Sequence, residues 1–214
     1  MLEEKKKFLH SLKTPILFLL LLFLIESAKS IFELNLTFLG ILPRKIFGLV
    51  GIITAPLIHS NFEHLFANTF PLLVLGTAII YFYPKSSKKT IPIIYFIPSL
   101  LVWFFARESY HIGASGIVYG LAAFIFFSGV IRKDRRAVTL TLLTIFLYSG
   151  IVVGLFPTKI GVSWESHLFG FLTGVLLAII FRKNDPYKKY DWEDEKATED
   201  IRKLKVSYKK ENLF

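Results

Sequence analysis

The sequence predicts an all-α membrane protein, a polytopic six-transmembrane-helix bundle. Of its 214 residues 53% are hydrophobic, and the mean hydropathy of +0.53 lies well above that of soluble domains. Several apolar runs are long enough to cross a bilayer. Lysine and arginine separate these runs, and 21 of the 26 fall at the two ends of the chain or in two short linkers. Such a charge pattern is typical of a multi-pass protein with one basic side.

The first apolar run covers residues 14–32 and follows a polar segment, 1–13, that we expect in the cytoplasm. A cleaved signal peptide is the alternative interpretation. Glu26 and Lys29 stand where small neutral residues would precede a cleavage site, which favours a retained span. Glycine and proline interrupt the apolar residues of 35–58, which predicts a loop or short helices in the membrane interface.

Five further runs follow, most of them ended by proline or by basic residues. The predicted spans are 61–83, 91–106, 115–131, 137–156 and 166–181, with basic linkers at 85–89 and 132–136. The membrane domain is therefore expected over residues 14–183, followed by a charged cytoplasmic tail over 184–214. The distribution of lysine and arginine places both termini in the cytoplasm. We expect an integral, multi-pass protein of the plasma membrane of a prokaryote.

The composition also restricts the chemistry. The absence of cysteine excludes disulfides, thiol catalysis and cysteine metal sites. The formal net charge of +10 is explained by membrane topology and by attraction to anionic lipid rather than by a nucleic-acid surface. We expect the lipid bilayer and transmembrane proteins as partners, with no nucleic acid, no metal and no cofactor.

A serine stands at the head of the fourth span. Ser115 lies among the small residues 113–116 and begins an apolar helix, and polar groups inside a membrane are costly and usually functional. Close helix packing through small residues is the alternative. In the predicted topology the second, fourth and sixth spans run in the same direction. Similar depth is therefore expected for His64, Asn68, Ser115 and His167.

This combination of residues fits hydrolysis by a serine nucleophile. Such a reaction needs a base for the hydroxyl proton and donors for the oxyanion. His167 is the candidate base, and a Ser–His dyad is expected because Glu63 and Glu165 are interpreted as interfacial. His64 and Asn68 are four residues apart and share one helix face, where they can act together with the N–H groups at the start of the fourth helix. A buried hydrogen-bonding role is the alternative for any single histidine.

Two glycine pairs accompany the serine and the histidine. Gly116 and Gly120 form one G-x-x-x-G pattern, and Gly170 and Gly174 form a second directly after His167. Small residues at this spacing let two helices approach closely, so we expect the two glycine faces to pack together. The fifth span has no such pair, and we expect it to open for substrates.

The chain resembles the rhomboid intramembrane serine proteases of the minimal six-span type. Three motifs carry the resemblance: residues 113–116, His59-x4-His64-x3-Asn68, and His167-x2-Gly170-x3-Gly174. The Trp-Arg pair that many members have in the first loop is absent from 49–52. Two further histidines, His10 and His111, match no motif and are interpreted as ordinary polar residues.

The resemblance implies a function and a role for each motif residue. Ser115 would be the nucleophile and His167 the general base of an endopeptidase that cleaves transmembrane segments. His64, Asn68 and the Ser115 N–H would form the oxyanion site. Tyr119 would pack against the catalytic histidine, and Gly113 and His59 would lie beside the site. A rhomboid-fold pseudoprotease that binds membrane proteins without cleavage is the main alternative. A small transporter is a second alternative, disfavoured because no internal repeat is evident.

Overall fold

The computed structural model describes residues 2–147, 153–157 and 161–187, which form a polytopic helical bundle, as predicted. Its long helices are α1 (Leu2–Ile31), α2 (Phe62–Phe82), α3 (Pro84–Phe105), α4 (Ser115–Arg132), α5 (Arg135–Leu147) and α6 (Trp164–Ile180). Helices α1 to α4 are long and apolar enough to cross a membrane, and α6 is a shorter apolar helix. Part of the predicted fifth span, 148–152, lies outside the described residues.

Helix α1 includes the polar segment that we expected to precede the first span. It begins at Leu2 because the first two turns are rich in Lys, Glu and Leu, which favour helix, and Lys6 pairs with Glu3 at 3.0 Å. Pro15 is buried inside the helix and faces α2, where a Cβ on Gly76 would stand 3.0 Å from the proline Cγ. The polar lead-in and the span are therefore one continuous helix.

The basic segment at residues 85–89 is not a linker, and that prediction was wrong. Pro84 occupies the first position of α3, where its missing N–H costs nothing. The Asp185 carboxylate then accepts hydrogen bonds from the backbone N–H groups of Lys85 (2.9 Å) and Ser86 (2.8 Å). This cap comes from a residue 100 positions away, so no local pattern could indicate it. Residues 188–214 of the predicted tail lie outside the described residues.

Helix α4 lies at the centre of the bundle and is buried along most of its length. Phe124 and Ile125 have no exposed surface, and they belong to one core with Leu75 and Ile79 of α2. Helix α6 covers another face of α4 at very short range, across the glycines of both helices. In a bilayer such packing, rather than escape from water, stabilises helix pairs.

The segment between α1 and α2 consists of short helical turns, as the prediction for 35–58 allowed. These turns cover Thr37–Leu39, Ile46–Val50, Gly51–Thr54 and Ala55–Leu57, and the Ile46 side chain is 85% exposed.

The same segment is fastened to the end of α3. The Arg44 guanidinium donates to the carbonyl of Ala106 at 2.7 Å, and the Trp103 indole donates to the carbonyl of Lys45 at 3.0 Å. A tryptophan and an arginine therefore anchor this loop, although they stand elsewhere in the chain than the missing pair.

Candidate active site

The serine and the histidine singled out from the sequence meet where α4 and α6 begin. Ser115 Oγ lies 2.8 Å from His167 Nε2, which is hydrogen-bonding distance. The two residues are 52 positions apart in the chain. They meet because both helices start at the same end of the bundle and run in the same direction.

The partner of the second ring nitrogen determines which nitrogen of His167 carries the proton. Nδ1 lies 2.7 Å from the carbonyl oxygen of Gly154, and a carbonyl can only accept. Nδ1 therefore donates, and Nε2 has its lone pair directed at the Ser115 hydroxyl. The Tyr119 ring stacks on the imidazole, with centroids 4.2 Å apart and planes 5° apart, which fixes the ring orientation.

The glycine pairs set the distance between the two helices. A Cβ on Gly170 would stand 2.2 Å from the carbonyl oxygen of Gly116, and one on Gly174 would stand 2.2 Å from that of Gly120. Any larger residue at either position of α6 would overlap the backbone of α4. The two glycine faces therefore pack as expected, and this contact brings His167 within reach of Ser115.

His64 and Asn68 lie on the face of α2 that looks toward Ser115. The His64 ring covers Gly113, where a Cβ would stand 2.7 Å from the ring carbon Cε1. Gly113 also has φ +107°, a conformation that favours glycine. Asn68 is buried, and one of its amide N–H groups donates to the carbonyl of His64 at 2.9 Å, which leaves the second for another acceptor.

His59 supports the loop that carries the serine. Its Nε2 accepts a hydrogen bond of 3.3 Å from the backbone N–H of Ala114, the residue before Ser115. The side chain is 1% exposed, and burial lowers its pKa to about 3. His59 is therefore neutral at neutral pH, and its Nε2 lone pair stays available to Ala114.

A buried ion pair at the end of α1 binds the residues just before α2, a role that we did not predict for it. Lys29 Nζ lies 2.8 Å from Glu26 Oε1 and also donates to the carbonyls of His59 (2.5 Å) and Ser60 (3.0 Å). Glu26 is 3% exposed. Charged residues inside a predicted span usually have a function, and that signal could have identified this pair.

A chain of hydrogen bonds at the start of α6 includes His111, so its interpretation as an ordinary polar residue was wrong. His111 is 2% exposed, and its Nε2 lies 3.1 Å from the carbonyl of Arg107, to which it must donate. Its Nδ1 then accepts from Ser163 Oγ at 2.6 Å. Ser163 is the N-cap of α6 and also contacts Ser166 Oγ at 2.6 Å. His111 therefore orients the first turn of α6, which holds His167.

Glu165, which we interpreted as interfacial, is buried within the protein. It is 4% exposed and lies 3.5 Å from the Arg107 guanidinium. Arg107 also donates to the carbonyl of Val162 at 2.6 Å. Glu165 thus pairs with the loop before α4, while a backbone carbonyl occupies the position beside His167 Nδ1 where a triad would have its carboxylate. Within the described residues, His167 thus contacts the Ser115 hydroxyl on one side and a backbone carbonyl on the other. Glu63, in contrast, is exposed.

These side chains surround a cavity of about 400 Å³. Its polar lining includes His64, Asn68, Ser115 and His167, and Ile112 and Val118 contribute apolar surface. Residues 161–163, in the predicted loop after the fifth span, line the cavity on another side. The cavity thus brings together a serine hydroxyl, an imidazole that can accept its proton and side chains that can donate hydrogen bonds.

Comparison with known proteins identifies the family of this chain. A family model described as a rhomboid domain matches residues 47–184, which is more than half of the chain. The uncharacterized proteins Rv1337 of Mycobacterium tuberculosis and Mb1372 of Mycobacterium bovis are each 35% identical to this chain over 176 residues, 78% of this chain and 73% of theirs. The uncharacterized protein ML1171 of Mycobacterium leprae is 31% identical, over 78% of this chain and 70% of its own.

Proposed function

Because the chain belongs to the rhomboid family, we propose that it is an intramembrane serine endopeptidase that cleaves transmembrane segments by a Ser–His dyad. The observation that carries this proposal is the 2.8 Å contact between Ser115 Oγ and His167 Nε2 at the edge of a polar cavity. A pseudoprotease needs neither this contact nor the hydrogen bond that fixes the histidine tautomer.

In the proposed reaction Ser115 Oγ attacks the carbonyl carbon of the scissile peptide while its proton passes to His167 Nε2. The protonated imidazole next gives that proton to the departing amine, and an acyl-enzyme ester remains on Ser115. A water molecule then gives a proton to the same nitrogen and attacks the ester carbonyl. The bond between the acyl carbon and Oγ breaks, the carboxylic acid product leaves, and the proton on Nε2 returns to Ser115 Oγ. The Gly154 carbonyl favours this sequence, since it keeps Nδ1 protonated and stabilises the imidazolium that forms.

The oxyanion of the tetrahedral intermediate would be held by His64, Asn68 and the backbone N–H of Ser115. The Ser115 N–H is one of the first donors of α4, which have no acceptor within the helix. Ser60 Oγ lies 3.3 Å from His64 Nδ1, so a hydroxyl that donates there leaves the His64 Nε2–H free to donate. Donors that are already oriented stabilise developing charge at little reorganisation cost.

The substrates would be single-span membrane proteins, cut in the outer part of the membrane. This placement follows from the proposed orientation, with both termini in the cytoplasm and Ser115 near the opposite face. A helical peptide must unwind before its carbonyl can reach Ser115, and helix-weakening residues such as glycine lower that cost. Entry from the lipid beside the fifth span remains a prediction.

Activity-based labelling tests the proposal directly. A fluorophosphonate probe should label the purified protein in detergent, and Ser115→Ala and His167→Ala should abolish both labelling and cleavage of a transmembrane peptide. Ser128→Ala is the matched control, because Ser128 is a buried serine on the same helix with no role in the dyad. Undiminished cleavage in Ser115→Ala would refute the serine mechanism. A folded wild-type protein that neither reacts nor cleaves would favour the pseudoprotease alternative.

A further inference from the structure

A crevice between α1 and α3 opens at the end of the bundle opposite Ser115. Two adjoining cavities form it, an outer one of about 390 Å³ and an inner one of about 130 Å³. They are continuous, since both are lined by Thr14, Ile80 and Ile91. The crevice therefore runs from the end of the bundle toward its middle.

The outer part of the crevice is basic and rich in hydroxyl groups. Lys7 and Lys88 line it from opposite helices, together with His10, Ser11 and Ser87. Lys7 Nζ lies 4.4 Å from the centroid of the Tyr81 ring. Within the described part of the chain, neither lysine has a carboxylate at ion-pair distance. Two cations in a partly enclosed site attract an anion such as a phosphate group.

The inner part of the crevice is apolar. Phe18 of α1, Leu72 of α2 and Leu121 of α4 line it, and their surface offers almost no polar atom. Within its lining, Phe18 meets the Tyr95 ring edge-on at a centroid distance of 6.5 Å. Tyr95 is fixed in turn by a 2.6 Å hydrogen bond from its hydroxyl to the carbonyl of Ile53. The inner cavity is thus an apolar slot suited to part of a hydrocarbon chain.

We propose that this crevice binds one anionic phospholipid, with its phosphate group between Lys7 and Lys88 and one acyl chain in the apolar slot. A basic mouth above an apolar slot, in a protein surrounded by lipid, matches the two halves of such a molecule. Neither the basic mouth nor the apolar slot identifies the ligand by itself. A free phosphate would leave the slot empty, and an uncharged lipid would leave both lysines without a counter-ion. The proposal is independent of the dyad chemistry.

Native mass spectrometry of the full chain in detergent can measure this binding. Phosphatidylglycerol should bind more tightly than phosphatidylcholine with the same acyl chains, and sodium phosphate should not displace it. The Lys7→Gln/Lys88→Gln variant should bind phosphatidylglycerol roughly 30-fold more weakly, since one lysine near an anionic lipid contributes a factor of about five. The matched control is Lys13→Gln/Lys89→Gln, exposed lysines on the same two helices that do not line the crevice. That control should change the affinity by less than about 3-fold.

A third variant tests the acyl chain separately. Ile91→Trp places a larger side chain where the two cavities join and keeps every lysine, so it should also weaken binding of phosphatidylglycerol. Any of four results would overturn the proposal. These are an equal loss of affinity in the two double-lysine variants, equal affinity for both lipids, displacement of the lipid by free phosphate, and unchanged binding in Ile91→Trp. If the Lys7 variant does not fold, Lys88→Gln alone should still weaken binding about 5-fold.

Discussion

Alanine at Gly170 should disable the proposed Ser115–His167 dyad without changing either residue. The new Cβ would stand 2.2 Å from the Gly116 carbonyl oxygen, whereas an ordinary contact begins at 3.4 Å, so α6 must move away by about 1.2 Å. His167 lies one turn earlier on α6. The same shift would lengthen the 2.8 Å contact between His167 and Ser115 to about 4 Å, beyond hydrogen-bonding range.

We expect kcat to fall roughly 100-fold, the usual cost of a misplacement of about 1 Å at a reacting pair. The assay is cleavage of a transmembrane peptide in detergent, alongside the rate of fluorophosphonate labelling. Thermal unfolding should show a loss of about 1–3 kcal/mol, typical of an overpacked contact. Circular dichroism would verify that the variant stays helical.

Two matched variants separate this effect from general damage. Gly116→Ala places its Cβ 3.1 Å from the Ser166 carbonyl, an overlap of only a few tenths of an ångström, so its activity should fall much less. Leu172→Ala changes a half-exposed residue on the same helix and should be nearly neutral. Wild-type kcat in a folded Gly170→Ala protein would show that the glycine contact does not set the geometry of the dyad.

Three other predictions follow from the surroundings of the dyad. His64→Ala or Asn68→Ala should lower kcat by roughly 10-fold to 1000-fold while the melting temperature stays close to wild type; a change confined to KM would contradict an oxyanion role. Lys29→Met should lower both the melting temperature and kcat, because it frees the carbonyls of His59 and Ser60 and leaves Glu26 buried without its cation. Adding Glu26→Gln should restore part of the melting temperature, and no recovery would argue against the ion pair as the cause. Burial lowers the pKa of His59 to about 3 and also lowers the pKa of His111, while an unfolded histidine titrates near 6.5. Stability is therefore full above about pH 6.5 and declines below it, for His59 by about 1.4 kcal/mol per pH unit down to about pH 3. Melting temperatures should fall from pH 7.5 to 5, and less steeply in His111→Asn; an equal slope in that variant would argue against His111 as a contributor.

Composition, the lengths of the apolar runs and the positions of the basic residues were sufficient to predict a polytopic helical bundle. The apolar runs located α2, α4 and α6 to within about two residues, since lipid permits few alternatives to a helix. The same reasoning placed Ser115 and His167 at one level of the membrane. G-x-x-x-G spacing further indicated which helix faces would meet. Each of these inferences rests on local sequence or on the order of the spans.

Only the tertiary structure decided which hydrogen-bond partners come from distant parts of the chain. The Asp185 cap on α3, the Gly154 carbonyl behind His167 and the hydrogen bond from Ser163 to His111 each join residues at least 13 positions apart. Sequence patterns show that a polar residue in a membrane protein needs a partner, but they do not say which. That choice depends on distances of about 3 Å between separate helices, and these exist only once the helices have packed.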